Sequence, residues 1–141
     1  MTKDDKYFMQ RAIEIARIGM ESNDGGPFGA VVVKDGKIIA EGNNKVSSTN
    51  DPTAHAEVVA IRNACAALGF FQLDGCTIYT SCEPCPMCLG AIYWARPDNI
   101  FYACSREDAA RVGFDDDFIY KEISLSIPDR TLNMHQLMNK E

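Results

Sequence analysis

The sequence contains no long apolar run, and it has few positive charges, histidines and tryptophans. Its 141 residues include 14 Lys and Arg against 20 Asp and Glu, giving a formal net charge of −6, with two His and one Trp. Because no window is apolar and long enough to cross a bilayer, a membrane protein is not expected. An acidic chain has the wrong sign to displace counterions from a phosphate backbone, which disfavours a large nucleic-acid partner.

The first residues lack the apolar core of a secretory signal peptide. They are charged and run directly into a helical pattern, so we expect a cytoplasmic protein. The sequence also lacks internal repeats, low-complexity tracts and interdomain linkers. With 46% hydrophobic and 24% charged residues, it has an ordinary globular composition. We therefore expect a single domain over residues 1–141 with a sizeable core.

Cysteine is not scarce, since six are present. In a cytoplasmic chain they are expected to be metal ligands or reduced core residues rather than a disulfide framework. Cys65, Cys76 and Cys104 lie within apolar helical or strand patterns, which predicts core positions for all three. The other three cysteines are clustered at positions 82, 85 and 88.

The periodicity of apolar residues predicts alternating helices and strands. Helices are expected over 4–20, from 51 or 53 to 69, over 86–96 and over 106–112, and strands over 28–33, 37–42, 76–80 and 99–104. Asp35-Gly36 between the first two strands is a strong hairpin signal. Residues 43–51 are expected to form a polar loop, and 125–141 a short strand followed by a helix or a tail. The alternation indicates an α/β layer architecture with a mixed sheet.

Cys85 and Cys88, together with His55 thirty positions before Cys85, form a candidate metal site. If a helix begins at Pro86, both sulfurs lie on one face of its first turn. Unpaired backbone N–H groups at that helix end favour thiolate over thiol. Two thiolates and an imidazole are three of the four ligands that zinc prefers, and a catalytic zinc keeps its fourth position for water.

A closed structural zinc site is the main alternative, with Cys82 as the fourth ligand. An iron–sulfur cluster starts from the same spacing but lacks a well-placed fourth cysteine. Glu57 favours the interpretation as a catalytic zinc site. A catalytic site needs a base near its activated water, whereas a structural zinc site does not. On an ideal helix, His55 and Glu57 would point about 200° apart. Both can serve one site only if the helix begins close to them.

The two-part motif of His55-Ala56-Glu57 and Pro84-Cys85-Pro86-Met87-Cys88 resembles the H-x-E and P-C-x-x-C signature of the zinc-dependent nucleobase deaminases. Further segments resemble the bacterial guanine deaminases of this superfamily: 26–30, 50–54, 80–96, 113–116 and 118–122. The resemblance implies a cytidine deaminase-like three-layer α/β/α sandwich with a mixed central sheet. It also implies one zinc ion per subunit, a homodimer, and hydrolysis of guanine to xanthine and ammonia in purine salvage or breakdown.

The resemblance also implies roles for residues outside the metal motif. Asn44 would hydrogen-bond the purine, Phe28 would stack on its face and Trp94 would line the pocket. Plain core packing is the alternative for Phe28 and Trp94. Backbone N–H groups near Ala56 and Cys85 would stabilise developing charge. Asp116 would be a second carboxylate in proton transfer beside Glu57, although Asp115-Asp116-Asp117 would ordinarily be a solvated acidic turn.

The predicted substrate and the predicted dimer each have an alternative. Other purine deaminases, including a guanosine deaminase or a tRNA adenosine deaminase, share the zinc motif, but the acidic composition and the segment Trp94 to Pro97 argue against the tRNA enzyme. Related guanine deaminases continue past the point where this chain ends and exchange an aromatic tail between subunits. An exchanged C-terminal segment is therefore an open alternative. His135 lies outside any ligand spacing, and a surface or packing role is expected.

Overall fold

The computed structural model describes residues 2–113 and 117–138, and a four-stranded sheet forms its centre. The strands are β1 (Gly29–Lys34), β2 (Lys37–Asn43), β3 (Cys76–Cys82) and β4 (Asn99–Cys104), in the order β2-β1-β3-β4. β1 is antiparallel to β2 and β3, whereas β3 and β4 are parallel. The mixed sheet is therefore as predicted. Asp35 and Gly36 both have positive φ, as a two-residue type I′ hairpin requires.

Helices cover both faces of the sheet. They are α1 (Lys3–Glu21), α2 (Val46–Thr49), α3 (Ala56–Leu68), α4 (Pro86–Ala95), α5 (Arg106–Arg111) and α6 (Asp117–Ser124), followed by a short 3₁₀ turn at Ile127–Asp129. The side chains of β1 alternate between the faces, as a strand dictates. Val31 and Val33 pack with Phe8 and other residues of α1, while Ala30 and Val32 pack with residues of α3 and α4. The three-layer α/β/α arrangement is confirmed.

A glycine on β2 brings α3 unusually close to the sheet. A Cβ atom at Gly42 would lie 2.5 Å from the Ala56 carbonyl oxygen and 2.5 Å from the Ala60 nitrogen. No side chain fits there, because real Cβ contacts are not so short. The close approach fixes the first turn of α3, which carries His55 and Glu57, against the end of β2.

The third helix begins later than its sequence predicts. Asp51 caps a turn instead, because its Oδ1 accepts hydrogen bonds from the backbone N–H of Thr53 at 2.9 Å and from the Thr53 hydroxyl at 2.6 Å. The helix starts at Ala56, with His55 as its N-cap in an extended conformation. The predicted loop over 43–51 is also partly wrong, since Val46–Thr49 forms the single turn α2.

Some of the other sequence predictions are confirmed and others are wrong. Cys76 is fully buried and Cys65 packs half-buried against the core, but Cys104 is exposed because β4 is an edge strand. His135 is exposed, as expected. The short strand predicted after residue 125 is absent from the described residues 125–138, which contain only the 3₁₀ turn. The alternative of a tail agrees with residues 133–138, which form neither a helix nor a strand. Among the described residues, no helix combines the length and apolar character needed to cross a membrane.

Candidate active site

A cavity of about 490 Å³ opens where the loop after α1, the first turn of α3, the end of β3 and the start of α4 meet. Its volume falls within the range of small-molecule sites. The residues that line it are Gly25, Gly26, Phe28, Asn44, Val46, Ser47, His55, Glu57, Thr80, Cys82, Glu83, Cys85, Ala109 and Gly113. Several predicted site residues, from distant parts of the sequence, therefore share one cavity.

His55, Cys85 and Cys88 form a tight cluster beside this cavity. The Nδ1 atom of His55 lies 3.5 Å from each of the two sulfurs. His55 is the N-cap of α3 and Cys85 the N-cap of α4, so two helix N-termini meet at this point. Cys88 follows in the first turn of α4, where its N–H points at the Cys85 sulfur at 3.5 Å. The predicted helix start at Pro86 is confirmed.

The donor set and its spacing fit a zinc ion. A tetrahedral ion with bonds of about 2.3 Å to sulfur and about 2.0 Å to nitrogen places such ligands about 3.5 Å apart. The measured sulfur-to-nitrogen distances agree with this spacing. Among the described residues, the metal-ligand cluster contains these three groups and does not include Cys82. His55, Cys85 and Cys88 could thus hold a zinc ion with three protein ligands.

Cys82 has a different neighbourhood. Its sulfur lies 3.8 Å from the carbonyl oxygen of Ser105, and its side chain lines the cavity. Residues two apart on a strand share a face, so Thr80 joins Cys82 on the cavity wall. The alternation of β3 is the signal that would have placed Thr80 there from sequence.

The cluster favours a thiolate at Cys85. A hydrogen bond from the Cys88 thiol, assisted by His55, lowers the pKa of Cys85 well below its ordinary value. The same hydrogen bond raises the pKa of Cys88. A thiolate is the form of cysteine that binds metal, so the lowered pKa of Cys85 favours metal binding.

Glu57 is a buried carboxyl group beside the cluster. Glu57 is only 8% exposed. Burial and, to a smaller extent, the charge of Cys85 raise the pKa of its carboxyl group to about 7. A carboxyl group with a pKa near neutrality can both accept and donate a proton. The predicted conflict between His55 and Glu57 is resolved because His55 precedes the helix, in extended backbone, and only Glu57 is helical.

Asn44 lines the cavity with a fixed amide orientation. Its Oδ1 accepts a hydrogen bond from the Val46 N–H at 3.0 Å, and its backbone N–H donates to the Phe28 carbonyl at 3.2 Å. The residue is buried and lines the cavity. Within the described part of the chain, Nδ2 makes no hydrogen bond and can serve a ligand as a donor.

Gly25 sets the position of Asn44. A Cβ atom at Gly25 would lie 2.2 Å from the Asn44 Oδ1 and 2.6 Å from its carbonyl oxygen. A Cβ atom at Gly26 would lie 3.2 Å from the Phe28 ring and 3.9 Å from the Asn44 Nδ2 atom.

We expect Gly25→Ala to raise KM for the substrate by about 10-fold or more, because displacing the amide removes a hydrogen bond to a polar ligand, worth about 1.5 kcal/mol. Gly90→Ala is the control, because a Cβ atom at this exposed helical glycine meets nothing within 4 Å, and its KM should stay within about threefold. Steady-state kinetics of both variants will measure the difference. An unchanged KM for Gly25→Ala would show that the amide of Asn44 does not need this position.

Of the remaining predicted residues, Phe28 lines the cavity and also packs against the core. Trp94 does not line the cavity of this chain: it is 80% exposed. The reason is helical geometry, because Ile92 is buried and a residue two positions away points about 200° from it. Ala56 is buried at the start of α3. Asp116, with Phe114 and Asp115, lies outside the described residues.

Comparison with known proteins agrees with this site. Residues 2–104 match the family described as the cytidine and deoxycytidylate deaminase zinc-binding region. The chain is 62% identical over 130 residues to the guanine deaminase of Bacillus subtilis, covering 92% of this chain and 83% of that protein. The X-ray structure of guanine deaminase from Bacillus subtilis superimposes with a TM-score of 0.93 at 60% identity, covering 97% of this chain and 86% of that one.

A second group of relatives is more distant. The tRNA-specific adenosine deaminase of Agrobacterium fabrum is 46% identical over 96 residues, covering 68% of this chain and 62% of that protein. The matched family region contains all three residues of the zinc cluster and Glu57. The chain belongs to the cytidine and deoxycytidylate deaminase family, the family defined by this zinc-binding region.

Proposed function

We propose that this protein catalyses the hydrolytic deamination of guanine to xanthine and ammonia. The observation that carries the proposal is the buried Glu57 carboxyl group beside the cluster of His55, Cys85 and Cys88, in a cavity open to a small molecule. The likeness to guanine deaminases over most of the chain supports this substrate.

His55, Cys85 and Cys88 are the proposed zinc ligands. When bound, zinc supplies Lewis-acid activation of water. Glu57 accepts a proton from the attacking water and delivers it to the ring nitrogen next to the amino-bearing carbon. It then carries the second proton of the same water to the departing amine. The new carbon–oxygen bond replaces the carbon–nitrogen bond, so one water is consumed for each ammonia released.

The cavity wall supplies the groups that hold the purine. The Nδ2 group of Asn44 donates to an acceptor on the base, and the ring of Phe28 stacks on its face. The backbone N–H groups of Ala56 and Cys85, at two helix N-termini, stabilise negative charge on the substrate. Asp116 remains a prediction as a second carboxylate in proton transfer, and we expect Asp116→Ala to lower kcat at least ~10-fold.

One assay separates this proposal from its alternatives. Purified zinc-loaded protein is given guanine, guanosine, cytosine, cytidine, adenine or a tRNA anticodon stem, and ammonia release is measured. We expect the highest kcat/KM with guanine. Preference for guanosine, for a pyrimidine or for the tRNA stem would replace guanine deamination with the corresponding activity.

We further propose that the protein is a cytoplasmic homodimer that pairs through α4. Three apolar side chains of this helix, Leu89, Tyr93 and Trp94, are exposed, with Trp94 at 80% and Tyr93 at 69%. Aromatic side chains of this size are typical of interface cores. An exchanged C-terminal segment stays an alternative form of the same dimer.

The cysteines support the cytoplasmic location. None of the six, all of which the structure describes, forms a disulfide, which suits a reducing compartment.

The single tryptophan makes the proposed dimer measurable. We expect the Trp94 fluorescence to shift to shorter wavelength as protein concentration rises, because the partner would remove its ring from water. Trp94→Glu should give a monomer in light scattering, and Phe71→Glu, at another exposed aromatic, should leave the oligomer unchanged. A Trp94 emission that is independent of concentration, with a monomeric mass throughout, would contradict pairing through α4.

A further inference from the structure

The two helices that follow β4 lie at the outside of the molecule with little apolar burial. Ala109 is the only buried residue described in α5, and α6 has none. Ala109 nevertheless lines the cavity, as does Gly113 after α5. Because hydrophobic burial does not hold these helices, specific polar contacts must determine where they sit.

Two such contacts reach Glu83 and Pro84, the two residues that precede Cys85, and a third joins α5 to α6. The Tyr120 hydroxyl of α6 donates to the Pro84 carbonyl at 3.0 Å. The Arg106 guanidinium of α5 lies 4.2 Å from the centre of the Tyr120 ring, within cation–π distance. The backbone N–H of Arg106 donates to Glu83 Oε1 at 3.0 Å, and the Glu83 N–H donates to the Cys104 carbonyl at 2.7 Å.

The peptide between Pro84 and Cys85 transmits this contact to the metal ligand. A trans peptide is planar, so its carbonyl and N–H point in opposite directions. With the Pro84 carbonyl held by Tyr120, the Cys85 N–H must point away from Tyr120. The Cys85 N–H donates to none of the described residues, and Cys85 lines the cavity. The same plane fixes the backbone from which the Cys85 sulfur extends toward His55.

We propose that Tyr120, supported by Arg106, is a positioning residue for the zinc site. Its hydroxyl holds the Pro84–Cys85 peptide in the orientation that presents the Cys85 sulfur to the metal and the Cys85 N–H to the substrate. The proposal rests on the zinc-dependent function above. Groups that orient metal ligands from outside change metal affinity or activity by 10–100-fold when they are lost.

Tyr120→Phe tests this directly, because it removes one hydroxyl and keeps the ring under Arg106. We expect zinc release to the chelator 4-(2-pyridylazo)resorcinol to become at least about 10-fold faster. The visible absorption of the cobalt-substituted protein should also shift, because the geometry of the Cys85 ligand changes. With guanine as substrate, kcat should fall more than KM rises, since the hydroxyl does not touch the substrate.

Tyr102→Phe is the matched control, because Tyr102 is exposed on β4 and its hydroxyl makes no hydrogen bond with any described residue. Its zinc release and cobalt spectrum should equal those of the wild type. Arg106→Met, which removes the cation, should speed zinc release by a smaller factor. No acceleration in Arg106→Met would remove Arg106 from the proposal.

Wild-type zinc release and cobalt absorption in Tyr120→Phe would overturn the proposal for Tyr120. Faster release that merely follows a lowered melting temperature would also overturn it, so each variant's melting temperature is measured alongside. These readouts need no substrate. An inactive wild type would therefore refute guanine deamination without touching the role of Tyr120, and the two failures stay distinguishable.

Discussion

Replacing Glu57 by Gln will reduce guanine turnover by at least ~100-fold while zinc stays bound. General acid–base groups contribute about 10²–10⁴-fold to rate, and the amide can neither take a proton from water nor deliver one to the ring. The substitution keeps the size of the side chain, so the cavity and the ligand cluster stay intact. Ammonia release measures the loss, and metal analysis of the same sample measures zinc.

The control for this experiment is Glu107→Gln, on the exposed face of α5 and outside the cavity lining. It changes the net charge by the same amount and should leave kcat within about twofold. If Glu57→Gln retains full activity, another group carries the protons and the assignment of Glu57 fails. If it loses zinc, Glu57 contributes to the metal site rather than to proton transfer.

Replacing Cys85 by Ser will weaken zinc binding by more than about 100-fold, beyond the usual effect of groups that only orient ligands. The reason is that the Cys85 sulfur lies 3.5 Å from His55 Nδ1 and is the thiol whose pKa is lowered by its hydrogen bond from Cys88. A serine hydroxyl at this position stays neutral. Competition with a calibrated chelator measures the affinity.

A bound ion also stabilises the folded state, by about 2.7 kcal/mol when its concentration is 100 times its Kd. We therefore expect the wild-type melting temperature to fall when a chelator is added, and the Cys85→Ser protein to be insensitive to the chelator. Metal removal and the loss of a ligand should thus have the same thermal signature.

Cys82→Ser is the matched variant, with the same chemical change three residues earlier. Its zinc content should equal that of the wild type, because Cys82 faces the Ser105 carbonyl and stands outside the three-ligand cluster. Loss of zinc in Cys82→Ser would establish a closed site with three sulfurs. The open catalytic site would then be wrong, although the fold would be unaffected.

The placement of Cys85 and Cys88 in one helical turn was predictable, because it depends on local spacing and on chemistry. Cys85 and Cys88 belong to one helical turn, Pro86 begins that turn, and Arg96 ends the helix at a left-handed residue before Pro97. The Asp35-Gly36 hairpin is equally local. Such features need only a few neighbouring residues, so the sequence alone is sufficient to place them.

Exposure was harder to predict, because it depends on which elements pack together. Cys104 occupies an apolar strand pattern, yet β4 is at the edge of the sheet and Cys104 is exposed. Trp94 lies within an apolar helix, yet only one side of α4 faces the core. A hydrophobic pattern reports a preference for burial, and it does not say whether a neighbouring element is available.

The sequence by itself determined the residue types of the candidate metal site, the carboxyl group beside them and the alternation of helices with strands. Only the tertiary structure decided that Cys82 is excluded from the ligand cluster, that α3 begins at Ala56 and that Tyr120 holds the peptide before Cys85. The physical reason is separation along the chain. No local pattern relates the residues that meet in such contacts, for example Gly42 with Ala56 or Tyr120 with Pro84. These contacts form only when the strands and helices have assembled around the sheet.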